Sequence, residues 1–168
     1  VALEAARRQG VVVTNTPDTA TVAVAEHALA LLMSLARKIP QLDMRVRQGE
    51  WPGGHLTQLA GKTLGIVGTG AVGKRLASIA EGIGMRILLS SMSETKDGSD
   101  APNRVEVSFS ELLANSDVVS IHARLSVKTR SMFTASEFSH MKPTAFLINT
   151  ARGDLIDTRA LAAALANE

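Results

Sequence analysis

The sequence has 168 residues, of which 45% are hydrophobic and 20% charged, a composition typical of one globular domain with a sizeable core and not of a disordered chain. Eighteen Lys and Arg residues against sixteen Asp and Glu residues leave a formal net charge of +2, far below the basic excess of a nucleic-acid-binding protein. There is no cysteine, which excludes disulfides, thiolate metal sites and a cysteine nucleophile, and we expect a reducing, cytoplasmic location.

The N-terminal third of the chain is predicted to be mostly helical. Residues 3–9 have a helical pattern, and the β-branched run 11–14 predicts a short strand. Residues 19–38 are apolar on most faces of a helix, which predicts burial on several sides, either in a core or against a second subunit. Because Glu26 and His27 lie in the middle of this run, we expect a buried helix and no membrane span.

Strands and helices are predicted to alternate after the segment 51–54, whose sequence Trp-Pro-Gly-Gly is the best linker candidate in the chain. The strands are expected at 63–67, 85–90, 103–107, 117–121 and 144–149, and the helices at 71–81, from 108, from 134 and at 158–166. Apolar strands that alternate with helices imply right-handed crossovers. We therefore predict an α/β fold with a doubly wound, Rossmann-like parallel sheet.

Three of the helix starts carry capping residues. Ser108 and Thr134 each begin a Ser/Thr-x-x-Glu capping box. Asp157 is placed to cap the last helix, which is expected to face inward through Leu161 and Leu165.

The most informative motif is Gly-x-Gly-x-x-Gly, formed by Gly68, Gly70 and Gly73 between a predicted strand and a predicted helix. Gly68 permits a tight turn, Gly70 lets the backbone approach a pyrophosphate, and Gly73 allows the helix to pack closely on the strand. The helix N-terminus presents unpaired N–H groups to the anion. A purely structural glycine turn is the alternative, but the strand-turn-helix context favours a dinucleotide site.

The choice of dinucleotide depends on the end of the second strand, where an acidic residue that binds the adenosine ribose is expected. Ser91 stands there instead, 18 residues after Gly73, and the next acid is Glu94 in the following loop. A serine can bond a hydroxyl or a phosphate. Without a carboxylate the repulsion that excludes a 2′-phosphate is absent, and Lys96 could supply a countercharge, so the sequence favours NADP over NAD. If this loop is merely solvated, both cofactors are acceptable.

Two polar residues follow predicted strands at the edge where open parallel sheets bind their ligands. Arg152 comes after the fifth strand, and its guanidinium can bind a carboxylate through two hydrogen bonds, orienting an acid substrate and polarising its carbonyl. An ion pair with Asp154 or Asp157 is an equally supported alternative. His122 ends the fourth strand and is expected to be a packed or cofactor-contacting histidine, because no carboxylate lies near it in sequence.

Other chemistries lack the residues that they need. No two histidines have metal-ligand spacing, and no Ser-His-Asp arrangement can be placed. We therefore predict neither a metal site nor a covalent nucleophile, which leaves redox chemistry through a bound cofactor.

Four motifs occur in order along the chain. They are VAEHALAL at 24–31, GKTLGIVG at 61–68, SDVVSIH at 116–122, and MKP at 141–143 leading to NTARG at 149–153. Together they resemble the NAD(P)-binding domain of the D-isomer-specific 2-hydroxyacid dehydrogenases, and the similarity covers nearly the whole chain from Val11 onward.

This resemblance implies a reversible hydride transfer between a nicotinamide and a 2-oxo acid, giving a D-2-hydroxy acid. It implies that Arg152 binds the substrate carboxylate and carbonyl, and that the long helix from Thr19 joins two domains and forms a homodimer. The residues it places at the cofactor are Gly68, Gly70, Ala71, Val72 and Gly73 in the turn, His122 and Thr129 after the fourth strand, and Thr150 and Ala151 beside the nicotinamide.

The same resemblance implies a division of the chain into three parts. Residues 1–18 are expected to be a remnant of a substrate-binding domain, 19–52 the interdomain and dimerisation helices, and 53–168 a dinucleotide-binding domain that is incomplete at its C-terminal end. The family's catalytic glutamate and general-acid histidine would follow Glu168, so we expect little turnover from this chain alone. Arg124 stands where the family usually has proline, a departure next to the expected cofactor.

A second hypothesis belongs to a different class: a non-catalytic dinucleotide-binding module that acts as a redox-sensing interaction partner. Arg152 favours the enzyme. A third hypothesis, an adenosine-type ligand in a hydrolase or methyltransferase, leaves Arg152 without a role. The expected partners are a small 2-oxo or 2-hydroxy acid and a second copy of the chain, with no nucleic acid and no membrane.

Overall fold

The structure, a computed structural model, describes residues 2–91 and 104–166. Its centre is a five-stranded sheet in the order β3-β2-β1-β4-β5, in which every neighbouring pair is parallel. The strands are β1 Thr63–Val67, β2 Arg86–Ser90, β3 Arg104–Glu106, β4 Val118–Ile121 and β5 Phe146–Asn149. The strand order reverses between β1 and β4, which makes their carboxyl ends the topological switch point of the sheet.

Helices lie before the sheet in sequence, between its strands and after the last strand. They are α1 Leu3–Arg8, α2 Thr21–Arg37, α3 Ile39–Arg47, α4 Ala71–Gly82, α5 Phe109–Asn115, α6 Ala135–His140 and α7 Thr158–Ala166, with a short 3₁₀ turn at Gly153–Leu155. The doubly wound α/β fold predicted from the alternation of strands and helices is confirmed.

The sheet is covered on both faces, as its continuous apolar strands require. On one face α2 and α4 pack around Leu32, Leu64 and Leu76. On the other face α5 and the connections after β4 and β5 pack around Leu112 and Phe133. All five residues of β1 are buried, so the central strand holds the turn that follows it in a rigid position.

The helix starts expected from the capping residues are present. The Ser108 side chain accepts a hydrogen bond from the Glu111 N–H at 3.2 Å, and Thr134 forms the full capping box with Glu137. Asp157 Oδ1 accepts from the N–H groups of the first turn of α7. These bonds satisfy N–H groups that a helix start otherwise leaves unpaired.

Two local predictions are wrong. Residues 11–14 form no strand: Val12 is 85% exposed, and no strand of the described residues lies beside it to complete a hydrogen-bonded ladder. Leu165 does not face inward but is 61% exposed, because no described element covers the last turn of α7. Helix α7 packs on α6.

Helix α2 is buried along one side. Ala25, Ala28 and Leu32 lie in the core, whereas Leu31 and Leu35 on another side are 38% and 44% exposed. Burial on several sides, which its composition predicts, is therefore not reached among residues 2–91 and 104–166. The core buries only one face of this helix. None of the described helices is both long and apolar enough to pass through a bilayer.

Candidate functional site

The glycine turn leaves β1 at the switch point of the sheet. Gly68 has φ +100°, and a Cβ at this position would lie 2.7 Å from the backbone N of Ala123 and from the carbonyl C of His122. The Gly68 N–H donates to the Ser90 carbonyl at 2.9 Å, and the His122 N–H donates to the Val67 carbonyl at 2.8 Å. Glycine is therefore required here both by the backbone conformation and by the close approach of the β4 connection.

The other two glycines differ in their surroundings. A Cβ on Gly73 would clash with the Gly68 carbonyl oxygen, and it would lie 3.0 Å from the Ile66 side chain, so Gly73 lets α4 pack tightly on β1. A Cβ on Gly70 would meet nothing within 4 Å. Gly70 is also the N-cap of α4, and no side chain caps this helix.

The start of α4 therefore combines open space with N–H groups that no side chain satisfies. Ala71 is exposed, while Val72 is half-buried and packs against the core. A helix N-terminus attracts negative charge through its N–H groups and its dipole. Such a helix start is suited to binding a pyrophosphate, and the glycine motif lies between β1 and α4, where the sequence predicted a strand-turn-helix unit.

Ser91 follows directly after β2 and is half-buried. No carboxylate ends this strand, which runs Arg-Ile-Leu-Leu-Ser. Glu94 and Lys96 lie outside the described residues.

His122 lies at the carboxyl end of β4, packed beside Gly68. Its Nε2 is 2.9 Å from the Ser120 hydroxyl, and no carboxylate among the described residues contacts it. Burial lowers the pKa of His122 to about 4, because a charged imidazolium loses hydration there. The side chain is thus neutral at pH 7, which suits a packing or hydrogen-bonding residue better than a proton donor.

Two threonines expected at the cofactor behave differently. Thr129 is buried, and its hydroxyl donates to the Arg124 carbonyl at 2.7 Å and accepts from the Ser126 N–H at 2.8 Å. Through these two bonds the buried Thr129 side chain holds the backbone of the loop after β4 in place. The hydroxyl oxygen of Thr150 is buried and has no hydrogen-bond partner among the described residues. A buried hydroxyl without a partner is costly, so it marks a place where a polar ligand group would be stabilised.

The turn after β5 is built by a residue to which the sequence assigned no role. Asn149 accepts a hydrogen bond from the Ala151 N–H at 3.0 Å and donates one to the Arg152 carbonyl at 2.9 Å. These two bonds hold Thr150, Ala151 and Arg152 in one conformation. Asparagine is a typical turn former, and its position as the last residue of a predicted strand was the signal available in the sequence.

Arg152 is exposed, and its guanidinium donates to the Ala151 carbonyl at 2.7 Å. The alternative ion pair with Asp154 or Asp157 is absent from the described residues. Asp154 pairs with Arg130 at 2.7 Å instead, and Asp157 caps α7. Arg152 therefore keeps most of its donors available at the carboxyl end of β5, one strand away from His122.

The described residues hold no cluster of three or more His, Asp or Glu side chains arranged to bind a metal ion. Two cavities lie away from the glycine turn. One of about 230 Å³ is at the amino ends of β1, β4 and β5, beside Asp117. The other, of about 550 Å³, is an open depression around Arg130 and Arg159.

A parallel sheet with a glycine turn at its switch point, and with polar residues at the carboxyl ends of the next two strands, defines a dinucleotide-binding α/β domain. Residues 29–168 match the family model described as D-isomer specific 2-hydroxyacid dehydrogenase, NAD binding domain. The chain belongs to this family, as its four motifs predicted, and its cofactor class is a nicotinamide dinucleotide.

Similarity to individual proteins supports this assignment. The chain is 42% identical over 172 aligned positions to a glyoxylate reductase of Thermococcus litoralis, covering 97% of this chain and 52% of the relative. It is 37% identical to a D-3-phosphoglycerate dehydrogenase of Synechocystis sp., covering 96% of this chain and 29% of that protein.

Solved structures show the same similarity in three dimensions. A D-lactate dehydrogenase from Aquifex aeolicus complexed with NAD and lactic acid superimposes with a TM-score of 0.90 and 32% identity, covering 99% of this chain and 51% of that one. An apo D-lactate dehydrogenase from Escherichia coli gives 0.88 and 34%, with 99% and 53% covered. The chain thus spans about half the length, or less, of the relatives named here.

Proposed function

We propose that this chain is the NAD(P)-binding domain of an oxidoreductase that transfers a hydride between a nicotinamide cofactor and a 2-oxo acid, with a D-2-hydroxy acid as the reduced product. The observation that carries the proposal is the glycine turn. Gly68 and Gly73 are held against neighbouring atoms, while Gly70 and the uncapped start of α4 face open space. A loop closed on itself would show no such opening.

The residues around the turn fit a dinucleotide. The N–H groups at the start of α4 would hold the diphosphate, and the buried Thr150 hydroxyl without a partner would bond a polar group at the nicotinamide end. When bound, the nicotinamide ring supplies or accepts the hydride. His122, neutral and packed on Gly68, would line the cofactor without adding charge, and Thr129 would hold the loop that carries it.

Arg152 is the residue to which we assign substrate binding. Its guanidinium is exposed and has no acidic partner among the described residues. It could therefore bind the carboxylate of a 2-oxo acid and polarise the adjacent carbonyl, an interaction that strengthens as negative charge develops on the carbonyl oxygen. The hydrogen bonds from Asn149 hold its backbone in place for this role.

We propose NADP as the preferred cofactor, with NAD as the competing choice. Support comes from β2, which ends without a carboxylate and continues into Ser91. A carboxylate at this position would repel a 2′-phosphate, and a serine does not.

The division of the chain and its self-association are further parts of the proposal. Residues 1–18 would belong to a substrate-binding domain, 19–52 would form the interdomain and dimerisation helices, and 53–168 would form the cofactor domain. The apolar residues that α2 leaves exposed support a homodimer. A cytoplasmic location stays a prediction from the cysteine-free sequence.

The cofactor proposal is tested by calorimetric titration with NADPH and NADH. We expect binding of both, tighter for NADPH. Gly70→Ala is expected to weaken binding at least tenfold because the new methyl group fills the approach to the diphosphate, while folding is unaffected since φ is −69° and no atom lies within 4 Å. Gly82→Ala, at the far end of the same helix and equally open, is the matched control. Equal affinities for the two glycine variants would contradict the proposed site.

The substrate role is tested by kinetics of the full-length enzyme with Arg152→Ala and Arg152→Lys. We expect kcat/KM for active 2-oxo acids to fall by at least 10²-fold in Arg152→Ala, and Lys to recover only part of it because it lacks the planar fork. An exposed arginine elsewhere, Arg159 on α7, serves as the control in Arg159→Ala. Cofactor binding without turnover on any oxo acid would instead favour the non-catalytic module.

A further inference from the structure

Arg124 is a charged residue in the connection after β4, two residues after His122, and the proposed function assigns no role to it. It follows the His122–Ala123 peptide, the part of the β4 connection that lies against the Cα of Gly68. Ala123 is buried at 5% exposure, whereas Arg124 is exposed. The chain therefore comes to the surface at Arg124, one residue beyond the backbone that contacts the turn.

The backbone of Arg124 is held firmly. Its carbonyl accepts a hydrogen bond from the buried Thr129 hydroxyl at 2.7 Å, and the same hydroxyl accepts from the Ser126 N–H. The Arg130 N–H donates to the Ser126 carbonyl at 3.0 Å. These bonds close the loop without using the Arg124 side chain, so the loop presents the guanidinium from a rigid base.

The guanidinium has no acidic partner among the residues that the structure describes. Two acids near it in sequence are used elsewhere: Asp117 bonds Lys142 and the Thr63 N–H, and Glu137 accepts from Thr134 in its capping box. His122 is neutral at pH 7 because burial lowers its pKa to about 4. Among the cations of this connection, Arg124 lies closest in sequence to the His122–Ala123 peptide, which contacts Gly68.

We propose that Arg124 binds a phosphate group of the dinucleotide held by the glycine turn. This inference rests on the proposed function, since it requires a dinucleotide at the turn. A guanidinium binds phosphate oxygens through paired, charge-assisted hydrogen bonds. The phosphate is either the diphosphate, shared by NAD and NADP, or the 2′-phosphate of NADP. Arg124 would therefore add a charged anion contact to the N–H groups at the start of α4.

The test compares Arg124→Gln with Arg124→Lys by calorimetric titration of the protein with NADPH and NADH. Glutamine keeps a polar side chain but removes the charge, and lysine restores it. The matched control is Arg86→Gln, an exposed arginine at the amino end of β2, opposite the turn. Thermal unfolding of each variant reports whether the loop is intact.

We expect Kd to rise about 5- to 10-fold in Arg124→Gln, Lys to recover part of that loss, and Tm to stay unchanged. A loss confined to NADPH assigns the contact to the 2′-phosphate, and an equal loss for both nucleotides assigns it to the diphosphate. The inference is overturned if Arg124→Gln binds both nucleotides as Arg86→Gln does, or if Lys recovers nothing. Failure of the unmodified protein to bind either nucleotide would overturn the proposed function as well.

Discussion

At the level of single residues, Gly68 and Gly70 serve one turn for different physical reasons. Gly68 combines a positive φ with backbone atoms within 3 Å of the Cβ that it lacks, whereas Gly70 has an ordinary φ and open space. The first glycine is needed by the fold, and the open space at the second is what we assign to the proposed ligand. Their spacing in the sequence indicates both roles, since the motif places each glycine relative to the strand and the helix.

His122 makes the stability of the fold depend on pH. Burial lowers its pKa from 6.5 to about 4, so between these values the unfolded chain binds a proton that the folded chain does not. The free energy of unfolding is therefore expected to fall as the pH drops from 6.5 towards 4, with about 1–2 kcal/mol at pH 5 due to this side chain. Urea unfolding at pH 7 and at pH 5 measures this change in the free energy of unfolding.

In His122→Gln this part of the pH dependence should disappear. His140→Gln, on the exposed face of α6, should retain it. A glutamine variant at position 122 with the unmodified protein's pH dependence would show that the imidazole is not desolvated in solution.

Among the elements, β3 is a short edge strand that pairs with β2 and is also joined to α4 by an ion pair. Arg104 on β3 donates two hydrogen bonds to Glu81 near the end of α4, at 2.9 and 2.8 Å. Both side chains are mostly buried, with 16% and 20% exposed. The hydrogen bond from Arg104 lowers the pKa of Glu81 below 4.5, so the pair stabilises the fold above that pH and loses its effect as the pH falls through the lowered value.

Glu81→Gln is therefore expected to lower the free energy of unfolding by about 1 kcal/mol at pH 7. The difference from the unmodified protein should shrink as the pH falls below 4.5, because Glu81 then becomes protonated in the folded state too. Glu106→Gln, an exposed acid on the same strand, is the matched control. Urea unfolding of both variants from pH 7 to pH 3 is the measurement, and a difference that stays constant with pH would contradict the role of the pair.

At the level of the whole molecule, helix α2 has an apolar side that is left exposed to solvent in the described structure. Leu31 and Leu35 lie on this side and are 38% and 44% exposed, and Ile39 just beyond the helix is 50% exposed. Burying this surface against a second copy would remove apolar area from water, which stabilises association. The proposed homodimer follows from this surface.

Leu35→Glu is expected to raise the dissociation constant of the dimer at least tenfold, because a carboxylate would be buried in the contact. Val127→Glu changes another exposed apolar residue, in the loop after β4 and 98% exposed, and should leave the dimer intact. Sedimentation velocity over a range of protein concentrations measures the dissociation constant of each variant. An unmodified protein that sediments as a monomer throughout would refute the dimer.

Much of the fold and part of the site were predictable from local patterns. The β1 strand at Thr63–Val67, the start of α4 and the capping box at Thr134 lie where the sequence placed them, because each depends on residues that are close together in the chain. The absent strand at 11–14 shows the limit of such patterns. β-branched residues favour an extended backbone, but a strand needs a partner, and the sequence does not say whether one is adjacent.

Contacts between distant residues required the folded chain. Asp154 could pair with Arg152 on spacing alone, yet it pairs with Arg130, which lies 24 residues away; this leaves Arg152 available for a substrate. Likewise, Glu81 bonds Arg104 across 23 residues. The Thr150 hydroxyl is buried without a hydrogen-bond partner in the described part of the chain, which its position in the sequence does not indicate. Sequence patterns report backbone preference and hydrophobic period, which are local properties. Charge pairing, burial and unsatisfied hydrogen bonds depend on which distant side chains the packing brings into reach.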